Sequence, residues 1–538
     1  MSNAPHKLSK VIGPAGCGKT TYILSLIEAA AKKYKPDRIG AVSYTVAAIE
    51  EMKTRVAKSG EVSHQSTKNI RTIHSHAFQL LGLKRDMVAD GSSKLKLFNE
   101  AHPEYALPLD LRTNSIEDPG SVSQSQEEQE TSAALMRNVQ LQRKMNFFRN
   151  LMTPISEWPE DVKDFHTAWK GWMNINGFYD FVSMLEEALY SEVFPDIDVL
   201  FVDEAQDTNV LQMNILTNWI KHVTSAVFVG DSDQAIMKFS GSIPESFINL
   251  DASWRKTLDH SYRVPKKILE YAVSILQRHC MDREEAIFGP RDGDDGLLES
   301  GMTEPDLSLE GTHMILARCG YQLTEWRDFL IKWGRPWHNP YRPDDLFMNP
   351  TKAQVWKAVK SYVRLKDGDL VPIQDVLRMI DSIQSKGNLV TGTKSKIKKI
   401  DENVDFNWME NVDFRNLSKL GFFTDEFSTL KKPIGEVFHL KGKVGELIAK
   451  LEKDEKIFLK EPSVIIGTVH SVKGGESDNI WVDTRTSPKG YRMWQLTQAN
   501  RNDEARVAYV AATRAKNRLG LMHGWKGKLS FPNHAFFS

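Results

Sequence analysis

The chain has few cysteines, no long apolar run and no excess of either charge. Its 538 residues include only Cys17, Cys280 and Cys319, too few and too scattered for a disulfide framework or a zinc site. No stretch approaches the roughly 18 uninterrupted apolar residues that a membrane span needs, and no basic-plus-apolar signal segment opens the sequence. These absences argue against a disulfide-rich secreted protein and a helical membrane protein, and they predict a cytoplasmic one.

The charge is balanced over the whole chain. Lysine and arginine together number 70, and so do aspartate and glutamate, so no global basic field attracts nucleic acid. Any nucleic-acid binding must therefore come from a local groove. The length predicts about three or four structural units. A hydrophobic content of 41% is enough for several buried cores.

A glycine-rich loop follows the first predicted strand. Residues 7–12 predict a short strand, residues 13–20 read G-P-A-G-C-G-K-T, and apolar residues at helical spacing come next. Gly16 and Gly18 would let backbone N–H groups surround a phosphate, Lys19 would reach the β and γ oxygens, and Thr20 would ligate Mg²⁺. A glycine turn before a helix is the structural alternative. The complete pattern in this context favours a nucleotide site.

Two carboxylates follow a second apolar run. Asp203 and Glu204 begin the sequence D-E-A-Q-D, directly after Val199-Leu-Phe-Val202. A hydrolytic nucleotide site needs one carboxylate for Mg²⁺ and another to orient the attacking water, and these two residues fit those roles. Taken alone, the pair could be a polar strand cap. Its combination with the glycine loop predicts an ATP-hydrolysing site.

Together the glycine loop and D-E-A-Q-D resemble the UvrD/Rep/PcrA-type helicases of superfamily 1. Six further segments match that family in order, and the matches extend from Gly13 to Lys516. They are residues 41–52, 72–78, 229–241, 261–265, 468–476 and 507–516. The resemblance implies an α/β fold of two tandem RecA-like parallel-sheet motor domains, each carrying a mainly helical insert.

The resemblance also implies roles for the nucleotide-site residues, with ATP and Mg²⁺ as ligands. Gln234 would sense the γ-phosphate, or else serve as a turn-stabilising amide. Arg263 and Arg514 would bring positive charge to the γ-phosphate, or else form structural ion pairs. Tyr262 would stack on adenine, or else pack at a domain seam. The predicted catalytic residues are Lys19, Glu204, Gln234, Arg263 and Arg514; the nucleotide contacts add Gly13, Gly16, Gly18, Thr20, Thr21, Tyr262 and Glu476; the metal ligands are Thr20 and Asp203.

A single-strand DNA groove is implied by the remaining motifs. Tyr44, His74 and Phe239 would stack on unpaired bases, because aromatic faces accept any base. Burial of each aromatic in a core is the alternative. The residues expected on sugar and phosphate are Ser43, Thr45, Thr72, Thr468 and His470.

The sequence departs from the family pattern at several positions. Relatives carry an adenine-reading glutamine segment before the glycine loop, whereas no glutamine precedes Lys19 here, so relaxed nucleotide preference is expected. Thr21 replaces a common arginine near the base. Met237 and Phe239 replace larger aromatics, which predicts weaker stacking. Residues 473–476 read K-G-G-E where K-G-L-E is usual, so Gly475 could be harmless or could ease a loop motion.

The motif positions predict six segments. Residues 113–131 are polar and acidic and predict a mobile loop, while residues 132–192 carry helical periodicity. A cationic run at 394–399 could grip duplex phosphates or be a solvated turn. The segments are 1–84 and 193–252 for the first motor domain, 85–192 for its insert, 253–341 and 462–538 for the second motor domain, and 342–461 for the second insert.

The function expected from the resemblance is ATP-driven movement along single-stranded DNA, 3′ to 5′, with duplex unwinding. Its partners would be single strands and single/double-strand junctions, and a protein could bind through either insert. Three alternatives stay open. The chain could be a translocase that strips proteins from DNA, or a partner-activated motor subunit or nucleotide-sensing switch in a repair or defence complex. A small-molecule kinase would leave the later motifs unexplained.

Overall fold

The computed structural model describes residues 7–43, 46–58, 67–109, 126–401, 411–419 and 421–523. Tyr44, Thr45 and most of the predicted loop at 113–131 lie outside these ranges. The strands are β1 Leu8–Ile12, β2 Ile39–Val42, β3 Ile70–Arg71, β4 Val199–Val202, β5 Ser225–Gly230, β6 Trp254–Thr257, β7 Leu297–Met302, β8 His313–Ala317, β9 Trp337–His338, β10 Val371–Pro372, β11 Asn411–Val412, β12 Val464–Thr468, β13 Ser477–Asp483 and β14 Ala515–Met522.

Helices connect most of these strands. The first ten are α1 Lys19–Ala31, α2 Val46–Lys58, α3 Ile73–Leu80, α4 Ser92–Ala101, α5 Gln126–Asn150, α6 Glu160–Asn176, α7 Phe181–Tyr190, α8 Val210–Ile220, α9 Pro244–Ile248 and α10 Lys266–His279. The others are α11 Gln322–Lys332, α12 Gln354–Lys366, α13 Ile373–Ser382, α14 Thr393–Asp401, α15 Phe414–Ser418, α16 Asp425–Ser428, α17 Ile434–Val437, α18 Gly442–Leu451, α19 Pro488–Leu496 and α20 Gln498–Ala512.

The first sheet has six parallel strands in the order β3-β2-β4-β5-β1-β6. All four residues of β4 are buried, as expected for an apolar strand covered on both faces of a parallel sheet. Leu200 and Val202 join one hydrophobic core, while Val199 and Phe201 join another, so alternate residues serve opposite faces. This arrangement places the carboxyl ends of the strands, and the motifs that follow them, along one edge.

Strand β6 corrects the predicted boundary after residue 252. Its residues pair with β1, with Ser9 opposite Trp254, so this strand belongs to the first sheet. The sequence W-R-K-T is mostly exposed, as is typical of an edge strand. This exposed edge strand lacks an apolar run of the kind that predicts β1, β4 and β8. The remaining boundaries of the six predicted segments stay a prediction.

The second sheet has six strands in the order β7-β14-β13-β8-β12-β9. The neighbours β8 and β12, β8 and β13, and β9 and β12 pair in parallel. The predicted strand ending at Ala317 and the amphipathic helix after it are confirmed as β8 and α11. The α/β class with two parallel-sheet domains is therefore confirmed. The chain divides into two compact units. The described residues of the first unit lie within 7–299 and 486–519, and those of the second lie within 300–485 and 520–523.

The first insert is helical around an aromatic core. Trp158, Trp169 and Trp172 pack with Phe98 and Phe165. One part of the prediction is wrong: α5 begins at Gln126, inside the segment 113–131 that was expected to be a loop. Glutamate and glutamine are good helix formers, so the acidic run continues the helix.

A buried arginine ties the helices of this insert together. The Arg149 guanidinium on α5 donates to Asp180 at 2.7 Å and to both oxygens of Glu186 at 2.9 and 2.7 Å. Trp169 Nε1 also donates to Asp180 at 2.8 Å. Because Arg149 is only 5% exposed, loss of either carboxylate would leave a buried charge without full compensation.

The second insert contains α12 to α18 and an antiparallel pair formed by β10 and β11. Its apolar side chains join the core beside the second sheet. Lys394, in the cationic run, donates to the Asp381 carbonyl at 2.7 Å. None of the helices in the described part of the chain is both long and apolar enough to cross a membrane.

Histidine 76 makes the stability of the first unit sensitive to acid. This residue of α3 is 2% exposed and lies edge-on against Trp219, with 5.3 Å between ring centroids. Burial lowers the pKa of His76 to about 4. Because this pKa is below that of an unfolded histidine, the unfolded state binds the proton first as the pH falls. The contribution of neutral His76 to folding stability is therefore complete above pH 6.5 and is lost as the pH falls towards 4.

Unfolding measurements can test this contribution. Between pH 6.5 and 5.5 we expect His76 to cost about 1 kcal/mol of unfolding free energy. Urea titrations of His76→Gln should show a shallower decline over that interval, whatever the absolute stability. The same substitution at exposed His439 is the matched control. An equal change of unfolding free energy with pH in wild type and His76→Gln would contradict this role of His76.

Candidate nucleotide and DNA-binding site

The glycine loop joins β1 to α1 and encloses the Lys19 side chain. Gly16 and Gly18 have φ values of +74° and +76°, a conformation that other residues adopt only with strain. A Cβ at Gly13 would lie 2.3 Å from Lys19 Cγ, so glycine is needed where the lysine folds back. Lys19 Nζ donates to the Gly13 carbonyl at 3.0 Å. The loop thus presents backbone N–H groups and an ammonium group at a helix N-terminus.

Residues distant in sequence hold this loop. Ser261 Oγ donates to the Ala15 carbonyl at 2.9 Å, and the Tyr262 amide donates to the Gly16 carbonyl at 2.8 Å. The Ala15 amide donates to the Tyr509 hydroxyl at 3.4 Å. A Cβ at Gly16 would lie 2.7 Å from Arg263 Cβ and 3.3 Å from its Nε, which places Arg263 directly beside the loop.

The acidic pair lies at the carboxyl end of β4. Thr20 Oγ1 donates to Asp203 Oδ2 at 3.4 Å. Glu204 has a φ of +50°, which is uncommon for a residue with a side chain, and its carboxylate lies 3.9 Å from Lys19 Nζ. Strained backbone at such a position is often part of a functional arrangement. Here it turns the two consecutive carboxylates towards the glycine loop.

Gln206 links the acidic pair to the next strand. Its Nε2 donates to Glu204 Oε2 at 2.5 Å, and its Oε1 accepts from the Asp231 amide at 2.9 Å. The side chain is fully buried, and a Cβ at Gly230 would lie 2.6 Å from Gln206 Oε1. The amide therefore fixes the Glu204 carboxylate relative to the end of β5.

The turn after β5 carries Gln234. This 3₁₀ turn, Ser232–Gln234, is capped by the Asp231 side chain, which accepts from the Asp233 amide at 3.0 Å. Gln234 Nε2 donates to Asp231 Oδ2 at 2.5 Å, and Gln234 Oε1 accepts from Arg514 Nη2 at 3.1 Å. The predicted residues Gln234 and Arg514 are thus in direct contact.

Two further arginines grip the same turn. Arg283 Nη2 donates to Asp233 Oδ2 at 2.7 Å. Arg506 Nε on α20 donates to the Ser232 carbonyl at 2.9 Å, while its Nη2 donates to the side chain of Asp282 at 2.8 Å. A third tie from α20 is the Asp503–Lys238 ion pair at 2.8 Å. Helix α20 therefore contacts the turn Ser232–Gln234 through Arg506 and the next turn, Lys238–Ser240, through Asp503.

Several acidic residues are buried in the interior of the site. Burial raises the pKa of Asp203 to about 7, with Glu204 adding to the effect. Burial likewise raises the pKa of Asp231 to about 6, assisted by Asp233. Burial alone would lower the pKa of Lys19, but neighbouring negative charges, Glu204 foremost, outweigh it and raise that pKa. The lysine therefore remains an ammonium.

The residues of the glycine loop and the acidic pair fit Mg²⁺ and a nucleoside triphosphate. Thr20 and Asp203 offer the oxygen ligands that Mg²⁺ prefers, and phosphate oxygens commonly complete such a site. A divalent cation would also offset the concentrated acidic charge. The Cys17 thiol in the loop donates to the Pro14 carbonyl at 2.8 Å, and burial raises its pKa to about 11, so it stays neutral.

The region predicted to bind the nucleotide base is open and aromatic. Tyr262 is 70% exposed, its ring lies edge-on to His260, and a Cβ at Gly18 would be 3.7 Å from the Tyr262 ring. Thr21 accepts from Arg55 Nη1 of α2 at 3.3 Å, so a guanidinium does lie beside this position. An arginine thus lies beside residue 21 although residue 21 itself is a threonine.

Predicted DNA residues of the first unit gather near the acidic pair. Ser43, Thr72 and His74 line one small cavity together with Asp203. Thr72 also caps α3 by accepting from the Ser75 amide at 3.2 Å. Burial lowers the pKa of His74 to about 4, so its ring is neutral near pH 7. This cavity brings the predicted DNA and metal residues together.

Two aromatic residues of the first unit, Phe239 and Phe181, are exposed. Phe239 is 67% exposed, so the burial alternative does not apply to it. Phe181 at the start of α7 is 51% exposed and lies edge-on to His74 at 5.9 Å. The sequence reasoning missed Phe181, because it sits outside every recognised motif.

The other predicted residues belong to the second unit. Thr468 ends β12, and its hydroxyl accepts from the Ser471 amide at 3.2 Å. His470 begins a short 3₁₀ turn, and Glu476 directly precedes β13. Their roles stay predictions. Tyr44 and Thr45 lie outside the described residues.

Comparison with known protein families shows to which family of nucleotide-binding proteins the chain belongs. Residues 1–254 match the UvrD/REP helicase N-terminal domain, and residues 364–523 match the UvrD-like helicase C-terminal domain. The chain belongs to the UvrD/Rep helicase family. Membership explains why the glycine loop and the D-E-A-Q-D segment occur together.

Individual UvrD/Rep relatives are distant. The ATP-dependent DNA helicase Rep of Buchnera aphidicola from Acyrthosiphon pisum is 23% identical, covering 60% of this chain and 51% of that protein. The probable DNA helicase II homolog of Mycoplasma capricolum is 24% identical, covering 52% and 40%. That of Mycoplasma pneumoniae is 22% identical, covering 97% and 83%. The matched region thus spans about half the length of the first two relatives.

Proposed function

We propose that the protein is an ATP-dependent DNA helicase that moves 3′ to 5′ along single-stranded DNA and unwinds duplex. A continuous set of contacts supports this proposal. It runs from Lys19 to Glu204, through Gln206 to Asp231, and on through Gln234 to Arg514. Such a set links the phosphate-binding residues to the turn that precedes the exposed Phe239.

Each residue has a chemical task in this proposal. Lys19 neutralises phosphate charge, and Glu204 orients the attacking water and accepts its proton. Gln206 keeps Glu204 in place. Arg263 and Arg514 stabilise charge that develops on the γ-phosphate. Mg²⁺, when bound by Thr20 and Asp203, supplies charge neutralisation and orients phosphate oxygens.

Coupling to DNA follows from neighbouring strand ends. The Asp203 amide donates to the Val42 carbonyl at 2.8 Å, and Ser43 follows Val42 directly. Movement of the acidic pair therefore shifts the start of the predicted DNA motif. Contacts to single strands by Phe239 and Phe181 would be largely independent of base sequence, because stacking needs no specific hydrogen bonds.

Tailed duplexes test the proposal. Matched substrates with a 3′ or a 5′ single-stranded tail are incubated with ATP and Mg²⁺, and strand separation is followed by fluorescence. We expect unwinding of the 3′-tailed substrate. Unwinding of the 5′-tailed substrate alone would contradict the polarity. DNA-stimulated hydrolysis without separation of either, together with displacement of a protein from single strands, would favour a stripping translocase.

The same assay addresses nucleotide preference and activation by a partner. Replacing ATP by other nucleoside triphosphates tests the relaxed nucleotide preference. Weak DNA-stimulated turnover by the isolated chain, restored by a protein partner, would instead identify a partner-activated subunit. A cytoplasmic location and partner binding through either insert belong to the proposal as well.

A further inference from the structure

Gly475 lies beneath the ring of Tyr341 in the second unit. A Cβ at residue 475 would lie 2.5 Å from the Tyr341 hydroxyl oxygen, 2.8 Å from Cζ and 2.9 Å from Cε2. Gly475 does not have a left-handed φ, unlike Gly474 at +89°. Its backbone would therefore accept another residue, and the space is excluded by the tyrosine ring rather than by the chain conformation.

The segment carrying Tyr341 is itself fixed. The Tyr341 amide donates to Asn339 Oδ1 at 2.9 Å, and Asn339 Nδ2 donates to the Ile466 carbonyl of β12 at 2.9 Å. Asn339 is fully buried, and its own amide donates to Asn349 Oδ1 at 2.9 Å. Tyr341 is thus held against the strand that ends at Thr468.

The loop beneath the ring connects two predicted ligand contacts. Residues 473–476 follow the turn that begins at His470, a predicted DNA contact, and end at Glu476, a predicted nucleotide contact. The Gly475 amide donates to the Val472 carbonyl at 2.9 Å, which closes the loop into a tight turn. A small displacement here would therefore alter both predicted contacts.

We propose that Tyr341 is a positioning residue that holds the loop at 473–476 in its DNA-binding conformation. The ring supplies the packing that a side chain at position 475 would otherwise provide, which accounts for the K-G-G-E sequence. The second predicted insert begins at residue 342, so the ring also ties the entry of that insert to the loop. The inference rests on the proposed DNA-stimulated ATP hydrolysis.

Tyr341→Ala tests the role in solution. We expect the single-strand concentration for half-maximal stimulation of hydrolysis to rise about tenfold, which corresponds to about 1.4 kcal/mol of binding free energy. Turnover at saturating DNA should fall by less than about threefold, because the residues of the nucleotide site are unchanged. Partial unfolding would instead lower turnover at saturation without moving the half-stimulating concentration. Tyr341→Phe should restore the wild-type value, since the ring remains.

The reciprocal substitution makes the test specific. Gly475→Leu should raise the half-stimulating concentration because the side chain meets Tyr341, and the double variant Tyr341→Ala with Gly475→Leu should recover towards wild type. Two controls match these changes. Tyr190→Ala removes a tyrosine that is 78% exposed, and Gly171→Leu adds a side chain where a Cβ has nothing within 4 Å.

The outcomes separate this inference from the proposed function. Strictly additive effects of the two substitutions, or an unchanged half-stimulating concentration in Tyr341→Ala, would overturn the positioning role while the wild-type protein still responds to DNA. Absence of DNA-stimulated hydrolysis in the wild-type protein would overturn the proposed function, and the role of Tyr341 with it. Recovery in the double variant supports the inference.

Discussion

Replacing Lys19 with alanine should abolish DNA-stimulated ATP hydrolysis, with turnover falling by about 10²- to 10³-fold or more. The ammonium group lies 3.0 Å from the Gly13 carbonyl and 3.9 Å from Glu204, enclosed by the glycine loop. The variant would remove the one lysine that the loop encloses and leave the carboxylates of Asp203, Glu204 and Asp231 to face bound phosphates. Repulsion should weaken nucleotide binding as well as the chemical step.

Phosphate release with and without single-stranded DNA measures this loss. Lys7→Ala is the matched control, because exposed Lys7 directly precedes the same strand and its side chain donates to the Lys221 carbonyl at 3.4 Å. Thermal unfolding of both variants should exclude a folding defect. Full stimulated activity of Lys19→Ala would show that ATP is hydrolysed elsewhere and would remove the basis for the site.

Replacing Glu204 with glutamine should separate binding from turnover. The amide keeps the size of the side chain, and its oxygen can still accept from Gln206 Nε2, so the local geometry should be retained. It cannot take a proton from the attacking water, so turnover should fall by about 10²- to 10⁴-fold. Binding of ATP and single-stranded DNA should persist, since neither depends on the proton transfer.

Nucleotide-binding titrations, DNA-binding anisotropy and single-turnover hydrolysis together measure this separation. Glu160→Gln, at a side chain that is 79% exposed and pairs only with Lys163, is the matched control. Normal single-turnover rates in Glu204→Gln would exclude Glu204 as the base. Loss of nucleotide binding would instead indicate that Glu204 mainly positions Lys19.

Local motifs account for the parts of the site that the sequence predicts. Lys19 and Thr20 follow Gly18 at the start of a helix, and Asp203 and Glu204 follow an apolar strand, so the chemistry of each can be predicted from adjacent residues. Gln206 lies within the same acidic motif, yet its contact with Asp231 depends on the pairing of β4 with β5. Strand pairing is set by tertiary packing rather than by neighbouring residues.

Longer-range contacts could not be predicted from the sequence for the same reason. Arg506 directly precedes the recognised motif at 507–516, and its partner Ser232 is 274 residues away. Phe181 has no motif, and its proximity to His74 follows from the packing of α3 against α7. The exposed strand β6 and the early start of α5 were missed because neither carries an apolar pattern.

The contacts made from α20 and the turn that follows it constrain the length of this helix. From the helix, Asp503 pairs with Lys238, Arg506 donates to Ser232, and Tyr509 accepts from Ala15. From the turn that ends the helix, Arg514 donates to Gln234. At about 1.5 Å of rise per residue, these anchors extend over roughly 16 Å, and each additional residue would rotate those beyond it by about 100°. Length and phase of α20 are therefore constrained together, so evolution can exchange its exposed side chains far more readily than it can add or remove a residue.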